Sequence, residues 1–181
     1  MLVFVDTEFT DFNDCHLISL ALVAPNGDEF YVEVNDHPVG ARSLLVRDNI
    51  MPLLDGGAAS TSYDDATRRL YAWLDKYPDQ EVTFVVDYHG DWALLRNMIL
   101  NGREKLDLSP TKNQTITVIF FNFAIADTLT KLGFTSQQAY ERLNTMRVTI
   151  DEYYQKIDKR VHHALVDARC NLHTFRQLTV I

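Results

Sequence analysis

The stretch Leu2-Val3-Phe4-Val5-Asp6-Thr7-Glu8-Phe9-Thr10 decides the fold of this chain. Four apolar residues, two of them β-branched valines, lead directly into two acids separated by one threonine. A short run that is wholly apolar is typical of a strand buried on both faces, so we predict a central strand here. Asp6 and Glu8 then emerge at its carboxyl end. Because they lie two residues apart, their side chains point to the same side of the strand.

Two carboxylates on one side of a strand repel each other. One of them would take up a proton unless a cation lay between them. Mg²⁺ is a hard cation that prefers oxygen ligands of this kind. The segment taken alone is equally consistent with a polar strand end whose acids are hydrated, so the rest of the chain has to distinguish the two interpretations.

Length, composition and charge restrict the class of protein. The chain has 181 residues, 46% of them hydrophobic, and a formal net charge of -8. These values predict one globular domain over residues 1–181. The negative charge argues against a protein that grips nucleic acid by general electrostatics. It leaves room for an enzyme whose acids bind cations that in turn meet phosphates.

The cellular compartment is inferred from features that the sequence lacks. No apolar stretch approaches membrane-spanning length, and no basic segment precedes the first apolar run as in a secretory signal. Cys15 and Cys170 do not have the spacing of a zinc or redox site. We therefore expect a cytoplasmic protein with reduced thiols and no membrane partner.

Hydrophobic periodicity predicts an α/β fold with a five-stranded mixed sheet flanked by helices. The first three strands form an antiparallel, hairpin-led unit, because an Asn-Gly turn at residues 25–28 separates the second from the third. The predicted strands are residues 2–5, 17–24, 29–34, 81–86 and 115–123. The predicted helices are residues 42–50, 63–77, 91–101, 124–132, 136–144 and 163–178. Thr61 or Ser62 is expected to cap the helix over 63–77, Gly102 to stop the helix over 91–101, and residues 103–114 to form a loop.

Further acids occur where predicted elements begin or end. Asp87 closes the strand over residues 81–86, Asp91 opens the next helix, and Asp167 lies in the last helix beside Ala164 and Ala168. Ligand sites of open α/β sheets lie at one edge, where such ends meet. The small alanines would let the last helix approach the sheet closely. A helix N-cap is the structural alternative for Asp91.

Two adjacent histidines precede Asp167. His163 lies four residues before it and would share its helical face, as a metal-ligand pair does. His162 lies five residues before it and converges on it only from the loop that precedes the helix. Helix geometry alone therefore favours His163, and a capping or surface histidine is the structural alternative for either.

Three motifs together resemble those of the DEDDh 3'-5' exonucleases. They are Asp6-Thr7-Glu8, Gly90-Asp91-Trp92-Ala93-Leu94-Leu95 and His162-x-Ala-x-x-Asp167-Ala. The resemblance extends over nearly the whole chain and implies a ribonuclease H-like fold. Its third motif falls on His162, which reverses the preference from helix geometry. Its second motif falls on Asp91, with Asp87 as the competing residue. The Asp-Thr-Glu-Phe start most resembles small bacterial and phage exoribonucleases.

The resemblance implies a two-metal hydrolase. Asp6, Glu8 and Asp167 would hold one Mg²⁺ or Mn²⁺ ion, and Asp6 would bridge to a second ion that Asp91 reaches directly or through water. His162 would be the general base. The substrates would be 3' ends of RNA or DNA, RNA being favoured, and the products nucleoside 5'-monophosphates.

The resemblance also implies contacts with substrate and a homodimer, which many relatives form. Phe9, Thr10 and Trp92 are expected to contact the terminal nucleotide, with core packing as the alternative for Phe9 and Trp92. Arg142, Arg147, Lys156, Lys159 and Arg160 could line the approach to the site.

Two other classes of protein share part of the pattern. A Mg²⁺-dependent phosphatase with an aspartyl nucleophile also starts with a strand that ends in acid-x-acid. Its second acid should be Asp, whereas this chain has Glu8, and it leaves the His162–Asp167 pair unexplained. A nucleic-acid-binding relative without activity would be expected to lack some of the acids, and here all of them are present.

Overall fold

The computed structural model describes residues 1–108 and 115–179 and has an α/β fold. Its strands are β1 (Leu2–Phe9), β2 (Leu17–Val23), β3 (Glu29–Val34), β4 (Ser60–Thr61), β5 (Glu81–Val86) and β6 (Thr115–Phe120). They form one mixed sheet in the order β4-β3-β2-β1-β5-β6. β1, β2 and β3 are antiparallel neighbours, while β5 runs parallel to both β1 and β6.

The prediction of five strands is wrong by one, because the sheet has six. The additional strand, β4, contains two residues and pairs in parallel with the end of β3. A segment this short has no periodicity, so its sequence does not distinguish it from a loop. The mixed sheet and its antiparallel start are as predicted.

The helices are α1 (Tyr63–Leu74), α2 (His89–Leu106), α3 (Phe121–Lys131), α4 (Ser136–Leu143), α5 (Met146–Lys156) and α6 (Ala164–Thr179). A π-helical turn over Val46–Ile50 lies within the region 42–50 where a short helix is predicted, and it continues beyond that region into the 3₁₀ turn Met51–Leu53. Ser62 caps α1, since its hydroxyl accepts the backbone N–H of Asp65. In the part of the chain that is described, no helix has both the length and the apolar character needed to cross a membrane.

The β2–β3 hairpin forms because its turn residues suit the required backbone. Gly27 has φ +88°, a conformation that costs glycine little, and the Asn26 side chain accepts the backbone N–H of Asp28. The Ala24 N–H donates to the carbonyl of Asp28 and closes the turn. This hairpin places β2 beside β1 and β3 outside it, as predicted.

The two faces of the sheet have separate hydrophobic cores. Val3 and Val5 of β1 pack with the core under α1 and α2, whereas Phe4 packs with the core under α3 and α6. Strand residues alternate between faces, so Asp6 and Glu8 continue the face of Phe4. The two acids of β1 therefore lie on the side of the sheet that α6 covers.

Small residues allow α6 to pack closely on β1 and β2. Ala164 and Ala168 are fully buried in the core on that side of the sheet. They flank Asp167 on the same helix, so the close packing also determines how near Asp167 comes to the acids of β1. The expectation that these alanines face the sheet is confirmed.

The predicted end of α2 at Gly102 is wrong, because the helix continues to Leu106. A Cβ atom at position 102 would overlap the side chain of Thr67, which is fully buried on α1. Gly102 therefore serves close packing between two helices rather than helix termination. The part of the predicted loop at residues 109–114 lies outside the described residues.

The region from β6 to α5 also differs from the prediction. The strand β6 ends at Phe120, and α3 begins at Phe121, three residues before its predicted start. The helix α5 was not predicted at all. Its sequence contains Val148, Thr149 and Ile150, which are β-branched and weak helix formers, and Thr145 before it makes no side-chain cap. Packing of Tyr153 on Val166 of α6 compensates for this weak local signal.

We expect Ala168→Leu to destabilise the protein by about 1–3 kcal/mol, because the added carbons enter a filled space between α6 and the sheet. Gln177→Leu adds an apolar side chain at an exposed position of the same helix and should change the free energy of unfolding by less than about 0.5 kcal/mol. Urea unfolding of both variants measures the difference. Equal effects would contradict the close packing of α6.

Candidate metal centre

The residues predicted to carry the chemistry line one cavity of about 420 Å³. It lies where β1 extends beyond its neighbour: the pairing of β1 with β5 ends at Phe4 and Val85, whereas β1 continues to Phe9. The pairing of β1 with β2 also shifts register between Glu8 and Phe9. Irregularities of this kind redirect side chains near functional sites.

Three separate parts of the chain supply the polar wall of the cavity. β1 contributes Asp6 and Glu8, α2 contributes Asp91, and α6 with its preceding turn contributes Asp167 and His162. The structure therefore brings together all five residues that the sequence analysis assigned to catalysis. Asp87, the competitor of Asp91, lines the same cavity from the end of β5.

The potential ligand atoms form two sets. Atoms of Glu8, His162 and Asp167 lie within 4.8 Å of one another, and so do atoms of Asp6, Asp87 and Asp91. This grouping differs from the expected one, in which Asp6, Glu8 and Asp167 share an ion. Among charged neighbours, Asp167 nevertheless raises the pKa of Asp6 most, so the two sets interact electrostatically.

Asp91 is a buried carboxylate with one oxygen directed to the protein and one without a partner. It lies in the first turn of α2, which begins at His89, so it is not the N-cap residue. The Thr7 hydroxyl donates to Asp91 Oδ1 at 2.7 Å. The Oδ2 atom is buried and has no hydrogen-bond partner among the described residues. A bound cation would remove the cost of burying this oxygen.

Asp167 is oriented by hydrogen bonds to both of its oxygens. The hydroxyl of Tyr154, on α5, donates to Oδ1 at 2.7 Å. The backbone N–H of His162 donates to Oδ2 at 3.1 Å. His162 has φ +70°, in the left-handed region that non-glycine residues seldom adopt. Tyr154 was not predicted as a site residue, because helix α5 was itself not predicted.

Burial and like charge raise the pKa of the acids in the cavity. Burial, followed by Asp167 and Asp91, raises the pKa of Glu8 from its ordinary 4.5 to about 8. The pKa of Asp6 is raised well above its ordinary range by burial and then by Asp167. Burial also raises the pKa values of Asp91 and Asp167. Each shift has the sign expected of a group that needs a proton or a cation.

The donor set fits a hard divalent cation. It consists of carboxylate oxygens and one imidazole, with an unpartnered buried oxygen at Asp91, and it has no cysteine. Carboxylates suit Mg²⁺ and Mn²⁺, and an imidazole is tolerated by Mn²⁺. The residues present therefore fit the ions that the sequence analysis expected.

His163 points away from this cavity. Its fully buried ring stacks on Tyr31 at 5.0 Å, and its Nε2 lies 3.5 Å from Asp55 Oδ1. Another group of potential ligands consists of Glu33, Asp55 and His163. Both oxygens of Glu33 already accept hydrogen bonds, from backbone N–H groups of the loop at residues 55–56 and from the Tyr31 hydroxyl. The donors of the protein itself therefore account for Glu33, whereas both ring nitrogens of His163 are buried without a hydrogen-bond partner among the described residues.

The three predicted substrate contacts have different positions. Phe9 lines the cavity. Thr10 is fully buried, and its hydroxyl donates to the carbonyl of Asp14, so it holds the following loop. Trp92 is partly buried against the hydrophobic core, with its ring centroid 6.3 Å from that of Phe84. It is not among the residues that line the cavity. The structural alternative therefore describes Trp92, whose position in a helix after Asp91 turns it towards the sheet.

Three aromatic residues line part of the cavity, and of these only Phe9 is predicted from the sequence. The rings of Phe9 and Tyr88 are nearly parallel, with centroids 6.2 Å apart, and Phe12 contacts both edge-on. The side chain of Phe12 is 78% exposed, which is unusual for an aromatic residue of this size. The exposure of Phe12 could not be predicted from the sequence, because the residue lies in a loop without hydrophobic periodicity.

Four of the five basic residues predicted to line an approach bind groups of the protein. Arg142 donates to the carbonyl of Leu178, Arg147 pairs with Asp151, Lys156 pairs with Glu152, and Arg160 pairs with Asp55 and Asp158. Exposed pairs of this kind contribute little to stability. Carboxylates nevertheless offset the positive charge of Arg147, Lys156 and Arg160 locally.

No protein-family model matches the sequence, and a search of curated proteins found no match.

The raised pKa values imply that the metal-free protein loses stability as the pH rises. The folded state binds more protons than the unfolded state between the ordinary pKa of Glu8, 4.5, and its folded value of about 8. The stability contributed by this group is fully present below the first value and is lost as the pH approaches the second. We expect the melting temperature of chelator-treated protein to fall from pH 5 to pH 8, and Mn²⁺ to raise it most at pH 8.

Glu8→Gln provides the control for this experiment. It removes one titrating group with little change of shape, so its melting temperature should depend less on pH and respond less to Mn²⁺. Parallel pH profiles for the wild type and Glu8→Gln would contradict the raised pKa of Glu8.

Proposed function

We propose that this chain is a metal-dependent 3'-5' exonuclease of the DEDDh type that removes nucleoside 5'-monophosphates from the 3' end of RNA. One observation carries the proposal: four carboxylates and a histidine from three distant parts of the chain converge on one cavity. The buried, unpartnered oxygen of Asp91 supports a cation at this site, because a cation would offset the cost of its burial.

The topology supports a ribonuclease H-like fold as part of the same proposal. An antiparallel unit of β1, β2 and β3 is followed by two helix-linked strands parallel to β1, as that fold requires. The acids lie at the carboxyl end of β1, and the two neighbours of β1 differ in direction: β2 is antiparallel to it and β5 is parallel. Sites of open α/β sheets lie at such positions.

The four acids and His162 each have a role in the proposed hydrolysis. Asp6, Glu8, Asp91 and Asp167 would hold two divalent cations, which when bound would acidify water and offset negative charge at the phosphate. His162, exposed at the cavity on the turn before α6, accepts the proton of the attacking water.

The aromatic wall supplies a surface for the terminal nucleotide. Phe9, Phe12 and Tyr88 line the same cavity as the acids, and a nucleobase stacked on such rings gains about 1–3 kcal/mol of binding free energy. The net charge of -8 disfavours general electrostatic binding of a long polyanion. The protein therefore recognises mainly the 3' end of the substrate, which enters the cavity where the acids and the aromatic rings are adjacent.

Matched RNA and DNA oligonucleotides, labelled at the 5' end, test the proposed activity with Mg²⁺ or Mn²⁺. We expect shortening from the 3' end, release of mononucleotides and faster cleavage of RNA. Asp6→Ala should remove the activity while the protein stays folded, because losing one of several clustered acids relieves repulsion. Binding without cleavage would instead indicate a silent relative, and release of inorganic phosphate alone would indicate a phosphatase. Turnover by Asp6→Ala at the wild-type rate would contradict the metal centre.

The two histidines should separate in the same assay. His162→Ala removes the proposed general base, and we expect kcat to fall by about 10²–10⁴-fold with little loss of stability, since the side chain is exposed. His163→Ala removes a buried ring stacked on Tyr31 and should mainly lower the melting temperature. Equal losses of kcat at a temperature where both variants are folded would mean that His162 is not the general base.

A further inference from the structure

Tyr154 connects a helix outside the cavity to one of the proposed metal ligands. It lies on α5, and its hydroxyl donates to Asp167 Oδ1 at 2.7 Å. Its ring packs partly buried against the small cluster of Tyr153, Val166 and Cys170 between α5 and α6. This packing holds the hydroxyl at a fixed place relative to the first turn of α6.

A carboxylate on a helix needs such a partner to keep one orientation. The terminal torsion of an aspartate is broad, so packing of the helix alone leaves the carboxylate plane free to turn. In Asp167 both oxygens are engaged from the protein, Oδ1 by Tyr154 and Oδ2 by the His162 backbone N–H. With these two directions occupied, the remaining lone pairs are available to the cavity and to the nearby ligand atoms of Glu8 and His162.

The same carboxylate also holds the turn that carries His162. The bond from the His162 N–H to Oδ2 accompanies a left-handed backbone at His162, a conformation that needs support from its surroundings. A change in the orientation of Asp167 would therefore reach His162 as well. One hydroxyl on α5 thus influences both a proposed ligand and the proposed base.

We propose that Tyr154 is a positioning residue that orients Asp167 for a divalent cation and, through Asp167, stabilises the turn at His162. The inference rests on the proposed function for its catalytic part, whereas its metal-binding part can be measured independently. Hydrogen-bonded partners of metal ligands typically change metal affinity or activity by about 10–100-fold when they are removed.

Tyr154→Phe is the test, because it removes the hydroxyl and keeps the ring. Tyr153→Phe is the matched control, since it removes a hydroxyl from the adjacent residue of the same helix, whose ring belongs to the same cluster. Mn²⁺ is titrated into each chelator-treated protein, and the rise in melting temperature is followed. We expect the Mn²⁺ midpoint to increase by about 10–100-fold in Tyr154→Phe and to stay at the wild-type value in Tyr153→Phe.

Activity provides the second readout. At limiting Mn²⁺, cleavage of an RNA oligonucleotide by Tyr154→Phe should fall by about 10–100-fold and recover in part as Mn²⁺ is raised, which a general loss of structure would not do. A wild-type midpoint together with wild-type cleavage at limiting Mn²⁺ would overturn the proposal. If the wild type binds Mn²⁺ but cleaves no RNA, the proposed function fails while the titration still decides the role of Tyr154.

A double-mutant cycle separates positioning from packing. If Tyr154 acts through Asp167, adding Tyr154→Phe to Asp167→Asn should shift the Mn²⁺ midpoint no further than Asp167→Asn alone. Fully additive shifts would mean that the tyrosine acts through the fold of α5, and they would overturn the proposal. The melting temperature of each metal-free variant establishes that it is folded before the titration. It also gives a measure of packing that is independent of metal binding.

Discussion

Mutual repulsion among buried carboxylates at the end of β1 is the constraint on which the rest of the site depends. Asp6 and Glu8 share a face because side chains of a strand alternate, and α6 covers that face and adds Asp167. Each carboxyl loses hydration and gains like-charged neighbours, and both effects raise its pKa. Without a cation the fold has to protonate these groups, whereas a bound cation turns the same arrangement into a favourable one. Metal binding and folding stability are therefore linked.

The parts of the fold that were predictable are those with a local signal. β1 and the hairpin after it follow from an apolar run and an Asn-Gly turn, and α1 follows from its cap at Ser62 and its periodicity. Elements that depend on distant partners were missed or misjudged. The helix α5 forms because it packs on α6. The helix α2 continues through Gly102, and a glycine is present there because Thr67 leaves no space for a larger side chain. Neither partner is visible from the segment itself.

The candidate site shows the same division. The side chains of two acids separated by one residue on a strand point to the same face of the sheet. In the structure Asp6 and Glu8 do so and line the same cavity. The choice between His162 and His163 depended on whether the helix begins before or after the histidines. Helix α6 begins at Ala164, so His162 stands on the preceding turn and lines the cavity. Helix periodicity alone had favoured the other histidine, and the motif resemblance was needed to assign the position.

Anomalous diffraction from crystals soaked in Mn²⁺ tests the metal centre most directly. The central claim is that the carboxylates of β1, α2 and α6 form one site for divalent cations. It predicts Mn²⁺ peaks in the cavity among Asp6, Glu8, Asp91 and Asp167, and their loss in Asp6→Ala. An empty cavity at saturating Mn²⁺, or a peak confined to the separate group formed by Glu33, Asp55 and His163, would contradict it.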